Sequence, residues 1–326
     1  DWSSDVCSSD LTATDSVPGI PRQVQWRYNG SLYLTAFNDH GEYMAALAMN
    51  QDFRRATLMG IHYRFHAALA AKLLIRHYDP GYTAPGATAY ASGYGVANET
   101  GCNVALVAHP AHHLTLTLYN DLAARPAPHG YLPGATVSSR AGLLAEWGAG
   151  KGMSIRGKLD MKSWPSAGER DVAGPKAVVE KQKTRMQLHL DGPVTENLAL
   201  SSRIALSFLK DQPWQQGGFL SYQQCQFTPV QSLEITYRFL LFDVPHWENR
   251  IYCYEPGVRY SFYFPSYYGS GTKNNLKLTW KINRRITLRS RVTHLRYAHR
   301  RETGSGYDTR PGNHTTGLDV QLQVSW

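Results

Sequence analysis

The sequence predicts an all-β protein, an antiparallel up-and-down transmembrane β-barrel of about sixteen strands, incomplete, and either an open, curled sheet or closed between strands that are not neighbours in the parent. Three observations predict it. From about Trp26 onward, apolar and polar residues alternate in segments of about eight to twelve residues, the period of a strand with one apolar face. The breaks alternate between short turns and longer links, the two-sided asymmetry of an outer-membrane barrel. No run approaches the roughly 18 apolar residues of a membrane helix, while the mean hydropathy of −0.40 is polar. A barrel strand shows lipid only every second residue, so a polar average is compatible with it. Composition excludes a helical membrane protein, a collagen and a disulfide miniprotein.

The elements are taken in chain order. Residues 1–11 (DWSSDVCSSDL) resemble a translated sequencing adapter and are set aside. Residues 12–22 are expected to be disordered or a partial strand, and 23–326 to form the barrel region. Setting aside Asp1, Asp5 and Asp10 raises the formal charge of +9 by three. Cys7 goes with them, leaving Cys102, Cys225 and Cys253, which make neither a disulfide framework nor a zinc site. With no initiator Met and no signal peptide, the chain reads as a piece of a longer gene.

The segment 67–78 (AALAAKLLIRHY) has helix-favouring residues and an unclear period. It is assigned as a strand because it fits the turn-then-loop rhythm, with an amphipathic helix as the alternative. Beyond it, Leu114, Leu116 and Leu118 oppose Thr115, Thr117 and Tyr119. Met153, Ile155, Leu159 and Met161 oppose Arg156, Lys158, Asp160 and Lys162. Met186, Leu188 and Leu190 oppose Arg185, Gln187 and His189. Leu198, Leu200, Ile204, Leu206 and Phe208 oppose Ser201, Arg203 and Ser207. Leu233, Ile235, Tyr237, Phe239 and Leu241 start opposite Glu234, Thr236 and Arg238. Leu276, Leu278, Trp280 and Ile282 alternate with Lys277, Thr279 and Lys281. Ile286, Leu288 and Val292 keep the period, but Leu295 and Tyr297 fall on the other face. Leu318, Val320, Leu322, Val324 and Trp326 form the clearest apolar face of all.

Short turns are expected at 110–113, 148–152, 191–197, 228–232 and 283–285. Long links are expected at 79–101, 123–137, 164–182, 243–249 and 299–314. Keeping the short turns on one side calls for one more turn between residues 250 and 264. Glu255-Pro256-Gly257-Val258 suits a type II turn and is assigned to it.

Chemical motifs are sparse. Gly148–Gly152 and the glycines near Lys273 lack phosphate-loop spacing and read as turns. His109, His112 and His113 cluster without a nearby carboxylate or Cys, so no metal site is assigned. No G-x-S-x-G elbow is present and no catalytic residue or cofactor is assigned. The charges say more. If the apolar face meets lipid, the lumen carries Arg156, Lys158, Arg185, Arg203, Arg238, Lys277, Lys281, Arg289 and Arg291 against Asp160, Glu234 and Asp319. Such a lumen favours anions unless inward loops or other acids neutralise it. Tyr28, Tyr63, Trp147, Trp164, Tyr222, Tyr237, Phe242 and Trp326 are candidates for the interfacial aromatic girdles. The alternating terminal strand ending in Trp326 resembles the signal read by the barrel-assembly machinery.

Several stretches resemble one Bacteroidetes family of helix-hairpin-helix domain-containing proteins that carry a long barrel-like C-terminal region. They are Arg76 to Tyr82 (RHYDPGY), Gly218 to Gln223 (GFLSYQ), Leu240 to Asp243 (LLFD), Arg250 to Glu255 (RIYCYE), Tyr260 to Gly271 (YSFYFPSYYGSG) and the terminal Gly304 to Trp326. The likeness runs from about residue 23 to the end. It departs at Cys253, where a small apolar residue is usual, and at Pro256-Gly257, where a charged pair is. The resemblance implies N-terminal helix-hairpin-helix modules, of a kind that binds DNA; no residue here matches them. The expected location is the outer membrane of a Gram-negative bacterium, with lipid and lipopolysaccharide as partners. The leading function is a transmembrane conduit with a basic lumen, tied to DNA binding or uptake through the missing modules. The alternative is a plugged barrel anchoring a periplasmic binding region, and the remote one a barrel-embedded hydrolase.

Overall fold

The computed structural model describes residues 28–84, 89–93, 95–128, 132, 134–168, 178–211, 214–304 and 308–325. The expectations for residues 1–22 and for Trp326 lie outside them. Fifteen strands form one antiparallel sheet in which each pairs with the next. They are β1 (Asn29–Phe37), β2 (Gly41–Asn50), β3 (Arg55–His66), β4 (Leu69–Tyr78), β5 (Glu99–Ala111), β6 (Leu114–Arg125), β7 (Thr136–Gly150), β8 (Met153–Ala167), β9 (Val178–Thr195), β10 (Leu198–Asp211), β11 (Trp214–Val230) and β12 (Leu233–Val244). After two short strands, β13 (Ile251–Tyr252) and β14 (Ser266–Tyr267), come β15 (Gly269–Lys281) and β16 (Ile286–Tyr297). The short β17 (Glu302–Thr303) and β18 (Arg310–Pro311) then precede β19 (His314–Val324). Among the described residues, β1 and β19 do not pair with each other, so the sheet is open.

Register explains the alternation. Leu106, Leu118, Leu143, Leu159, Met186, Leu206 and Phe219 sit opposite one another across seven successive strands, a single apolar row on the outer face. Above and below it Ile75, Leu122, Leu188, Ile204, Leu241 and Leu276 are exposed on that same face. A soluble sheet buries such a row; here it is the surface. The opposite face carries Arg76, Asp121, Asp160, Arg238 and Arg291, all buried.

The turns fall into two sets. On one side lie 38–40, 67–68, 112–113, 151–152, 196–197, 231–232 and 282–285, all short. Lys151 and Gly152 both have positive φ, as a two-residue hairpin turn between right-twisted strands demands. On the other side lie 51–54, 79–98, 126–135, 168–177, 212–213, 245–268 and 298–313. Segment 67–78 is a strand from Leu69, so the helix alternative fails.

One expectation is corrected: Glu255 to Val258 is not a turn between wall strands. Among the described residues the sheet has fifteen strands, where about sixteen were expected. β12 pairs directly with β15, so 245–268 is one connection. The short turns then stay on one side without any extra turn. Three of the aromatic girdle candidates also move: Tyr222 and Phe242 are buried on the inner face, and Trp164 lies on the row of Asp160 on that same face. Parity had hidden this, because β12 is apolar on both faces toward its long-loop end.

Candidate functional site: the inner face and its strap

The connection 245–268 folds back against the inner face of β10 to β19. A single 3-10 turn, Trp247–Asn249, starts it. Buried Asn249 donates from Nδ2 to the carbonyls of Ser207 (2.9 Å) and Gln216 (3.2 Å), and accepts from the Ser207 hydroxyl at 2.5 Å. Gly218 makes room for it, since a Cβ there would sit 3.1 Å from Asn249 Nδ2. The strap then forms a narrow hairpin. Ile251 pairs with Tyr267, Tyr252 with Ser266, and Glu255 bridges Tyr263.

Pairing divides the hairpin into two faces. Ile251, Cys253 and Tyr267 pack on Ala205, Leu220, Tyr222, Leu240, Phe242 and Val244 of the wall. Leu295 and Tyr297, which break the alternation of β16, pack on this cluster too. Deeper, Glu255 is clamped by Lys273 at 2.7 Å, by Arg291 at 2.5 Å and by the Tyr267 hydroxyl. Asn275 donates to the Pro256 carbonyl at 3.2 Å. At the tip, the Arg259 N–H donates to Gln321 Oε1 (3.1 Å) and Gln321 Nε2 donates back to the Arg259 carbonyl (2.9 Å). From the level of Phe242 to that of Gln321 the strap covers about 26 Å of strand at ~3.3 Å per residue. The opposite face of the hairpin exposes Tyr254, Tyr260 and Phe262.

Two further charge nodes bridge strands of the inner wall. Arg76 is fully buried; its Nε donates to Glu99 at 2.6 Å, and Nη1 and Nη2 to Asp121 at 2.7 and 3.0 Å. It reaches across Gly101, where a Cβ would stand 2.5 Å from the guanidinium carbon. Ser92, from the 79–98 link, donates its N–H and hydroxyl to Glu99. Asp160 accepts from Tyr119 (2.6 Å), Arg140 (2.7 Å) and Arg185 (2.9 Å). Tyr119 crosses Gly142 to do so, and a Cβ there would lie 2.4 Å from its hydroxyl.

The cations expected in the lumen are placed as follows. Arg156 pairs with Glu146 (2.8 Å), Arg185 with Asp160, Lys277 with Glu234 (3.2 Å) and Arg291 with Glu255 and Asp319. Arg238 donates to Gln224 and to the Tyr254 carbonyl, and stacks on Tyr222 with its guanidinium carbon 3.9 Å from the ring centre. Arg203 reaches the Tyr252 carbonyl at 3.5 Å, and Arg289 reaches Gln323 at 2.9 Å. Lys158 lies on the face of Asp160, and Lys281 lies at the short-turn end, exposed. Sequence reasoning missed Arg76, Glu99, Asp121, Glu255 and Arg259 as members of this face. Arg76 was in an ambiguous segment, and Glu99 and Glu255 were assigned to connections; the glycine opposite Arg76 was the one available signal.

The histidine cluster is a short-turn feature. His112 and His113 stack with ring centres 3.8 Å apart, and His109 bonds Thr115. Among the described residues no three metal-ligating side chains converge. A Ser–His–acid group does occur, in that Ser201, Asp191 and the Tyr222 hydroxyl surround His189. All three meet the same nitrogen, Nε2, at 3.0–3.1 Å. A hydrolytic relay needs the acid on Nδ1 and the nucleophile on Nε2, so this group is not wired as one. Leu318, Val320, Leu322 and Val324 of the terminal strand are exposed on the outer face.

No protein-family model and no curated protein matches the chain. Solved structures do. The siderophore receptor PirA from Acinetobacter baumannii superposes with a TM-score of 0.51 at 10% identity, over 91% of this chain and 50% of that one. The chain folds as the wall of a Gram-negative outer-membrane β-barrel. It spans about half the length of PirA. The ferric-catecholate import receptor Fiu from E. coli K12 gives a TM-score of 0.47 at 10% identity, over 91% and 60% of the two chains. An anion-selective porin from Comamonas acidovorans gives 0.40 at 9% identity, over 92% and 100%. Fold and apolar exterior together locate this chain in the outer membrane.

Proposed function

We propose that this chain is the wall of an outer-membrane conduit whose lumen is narrowed by the strap 245–268 and favours anions. The observation that supports it most directly is the strap itself, a hairpin laid along the inner wall with its second face exposed. The anion preference is supported by Arg203, Arg250, Arg259 and Arg289, which among the described residues have no carboxylate within ion-pair distance. It is weaker than a count of lumen cations suggests, because Glu99, Asp121, Glu146, Glu248 and Glu255 neutralise much of the wall. Planar-bilayer recording of the full-length protein tests it. Stepwise currents with an anion-side reversal potential are expected; a cation-side potential rejects the preference.

A second reading, a plugged barrel anchoring a periplasmic region, is favoured by the buried clamp on Glu255. An inserted barrel silent in the same recording selects it. In either reading the outer face contacts lipid and lipopolysaccharide, and the terminal strand through Trp326 addresses the assembly machinery. Nucleic acid enters only through helix-hairpin-helix modules outside this chain, as part of the proposed Bacteroidetes relationship. The His189 wiring disfavours the hydrolase.

A further inference from the structure

Where the strap tip meets the wall, two guanidinium groups converge with no ion-paired acid among the described residues. Arg259 Nη1 and Arg289 Nη1 both donate to the one side-chain oxygen of Gln323, at 3.4 and 2.9 Å. Two like charges drawn to one neutral acceptor repel each other unless water or an anion lies between them. The surrounding carboxylates are engaged elsewhere. Glu234, beyond Thr279 in the same row, bonds Lys277 and Gln226. Asp319, one pair along from Gln321, bonds Arg291. Lys281, diagonal to Arg289 on the inner face, adds a third cation.

The arrangement is built rather than incidental to a loose side chain. The two reciprocal bonds with Gln321 fix the Arg259 backbone against the wall, which anchors the root of its exposed side chain beside Gln323. Its planar group lies 5.0 Å above the centre of the Tyr260 ring, which holds it from behind. Arg289 projects from the fourth residue of β16, a position paired on both sides, with Thr279 of β15 and Gln321 of β19. Guanidinium forks match the planar or tetrahedral edge of an oxyanion, and two of them on separate elements bind it from two sides.

We propose that Arg259 and Arg289, oriented by Gln321 and Gln323, form an oxyanion-binding subsite at the inner end of the strap. It takes a small solute bearing a phosphate or carboxylate group. This deepens the conduit reading and rests on it for its role: the subsite is where a permeating anion pauses. A bound oxyanion also bridges strap to wall, so occupancy holds the tip in place.

The test titrates inorganic phosphate, and separately acetate, into the folded protein in detergent micelles at constant ionic strength, followed by calorimetry. Arg259→Gln and Arg289→Gln are each expected to weaken binding at least tenfold. Arg250→Gln, which removes the same charge at the strap entrance, is expected to change it less than twofold. Phosphate should also slow protease cleavage at the tip of the native strap and not of the Arg289→Gln strap. Equal weakening by Arg250→Gln overturns the subsite in favour of diffuse attraction. Binding unchanged in the Arg259→Gln and Arg289→Gln variants overturns it as well. Conductance separates the two claims. Anion currents without saturable binding sink the subsite and spare the conduit. Saturable binding in a silent barrel spares the subsite and sinks the conduit.

Discussion

At the scale of single residues, the inner wall depends on side chains that reach over glycines to meet a charge. Arg76 satisfies two buried carboxylates, and removing it takes the paired cation from Asp121 and leaves Glu99 with Arg125 alone. Breaking a buried pair by deleting one partner costs about 3–5 kcal/mol. Arg76→Ala should therefore lower the midpoint of urea unfolding in micelles well beyond an exposed control such as Arg55→Ala. Gly101→Ala should do similar damage, since the added Cβ meets the guanidinium and the Leu122 carbonyl at once. Asp79, just past the end of β4, adds a pH dependence. The Arg55 N–H, donating at 2.8 Å, holds its carboxyl below the usual carboxylate range. Its stabilisation is full above the unfolded-state value, near 3.9, and fades as pH falls through the lower folded value. The unfolding midpoint should drop across that acid window in the native protein and drop less in Asp79→Asn.

At the scale of elements, the strap is held by one apolar cluster and one charged clamp. Glu255→Gln keeps the shape but removes the charge that Lys273 and Arg291 share. Faster protease cleavage within 253–263 and a larger single-channel conductance are the expected results. An unchanged digestion pattern would place the holding force in the apolar cluster alone. The strap also marks the limit of what the sequence discloses. Period two is a local signal, and it located most wall strands because lipid outside and polar groups inside impose it residue by residue. The same alternation puts Lys277 on one face with Glu234 and Arg291 on one face with Asp319. It broke at Leu240, Phe242, Leu295 and Tyr297, where both faces of the wall are apolar. Those residues were the trace of a segment folded inward, but alternation carries no record of what lies opposite in space. Glu255 read as a turn residue for that reason, and Arg259 as nothing at all.

At the scale of the whole molecule, the outer face is what commits the protein to a bilayer. A charge placed in the middle of that face has neither water nor a partner. Leu241→Arg should cost about 2–4 kcal/mol if the residue lies near the bilayer midplane, read as a loss of heat-modifiable folded protein after insertion into vesicles. Leu240→Arg, one residue along but on the inner face, tests the assignment of faces by disrupting the strap cluster while sparing insertion. Deleting Trp326 is expected to lower outer-membrane yield of the full-length protein. An unchanged yield would remove the terminal residue from the assembly signal.

The strap leaves the wall at Val244 and rejoins it at Gly269, and those two residues are paired neighbours. Both tethers therefore hang from the same rim. With both ends on one rim, the segment enters and leaves the interior from the long-loop side, and its tip, held through Arg259, is the part farthest from its attachments.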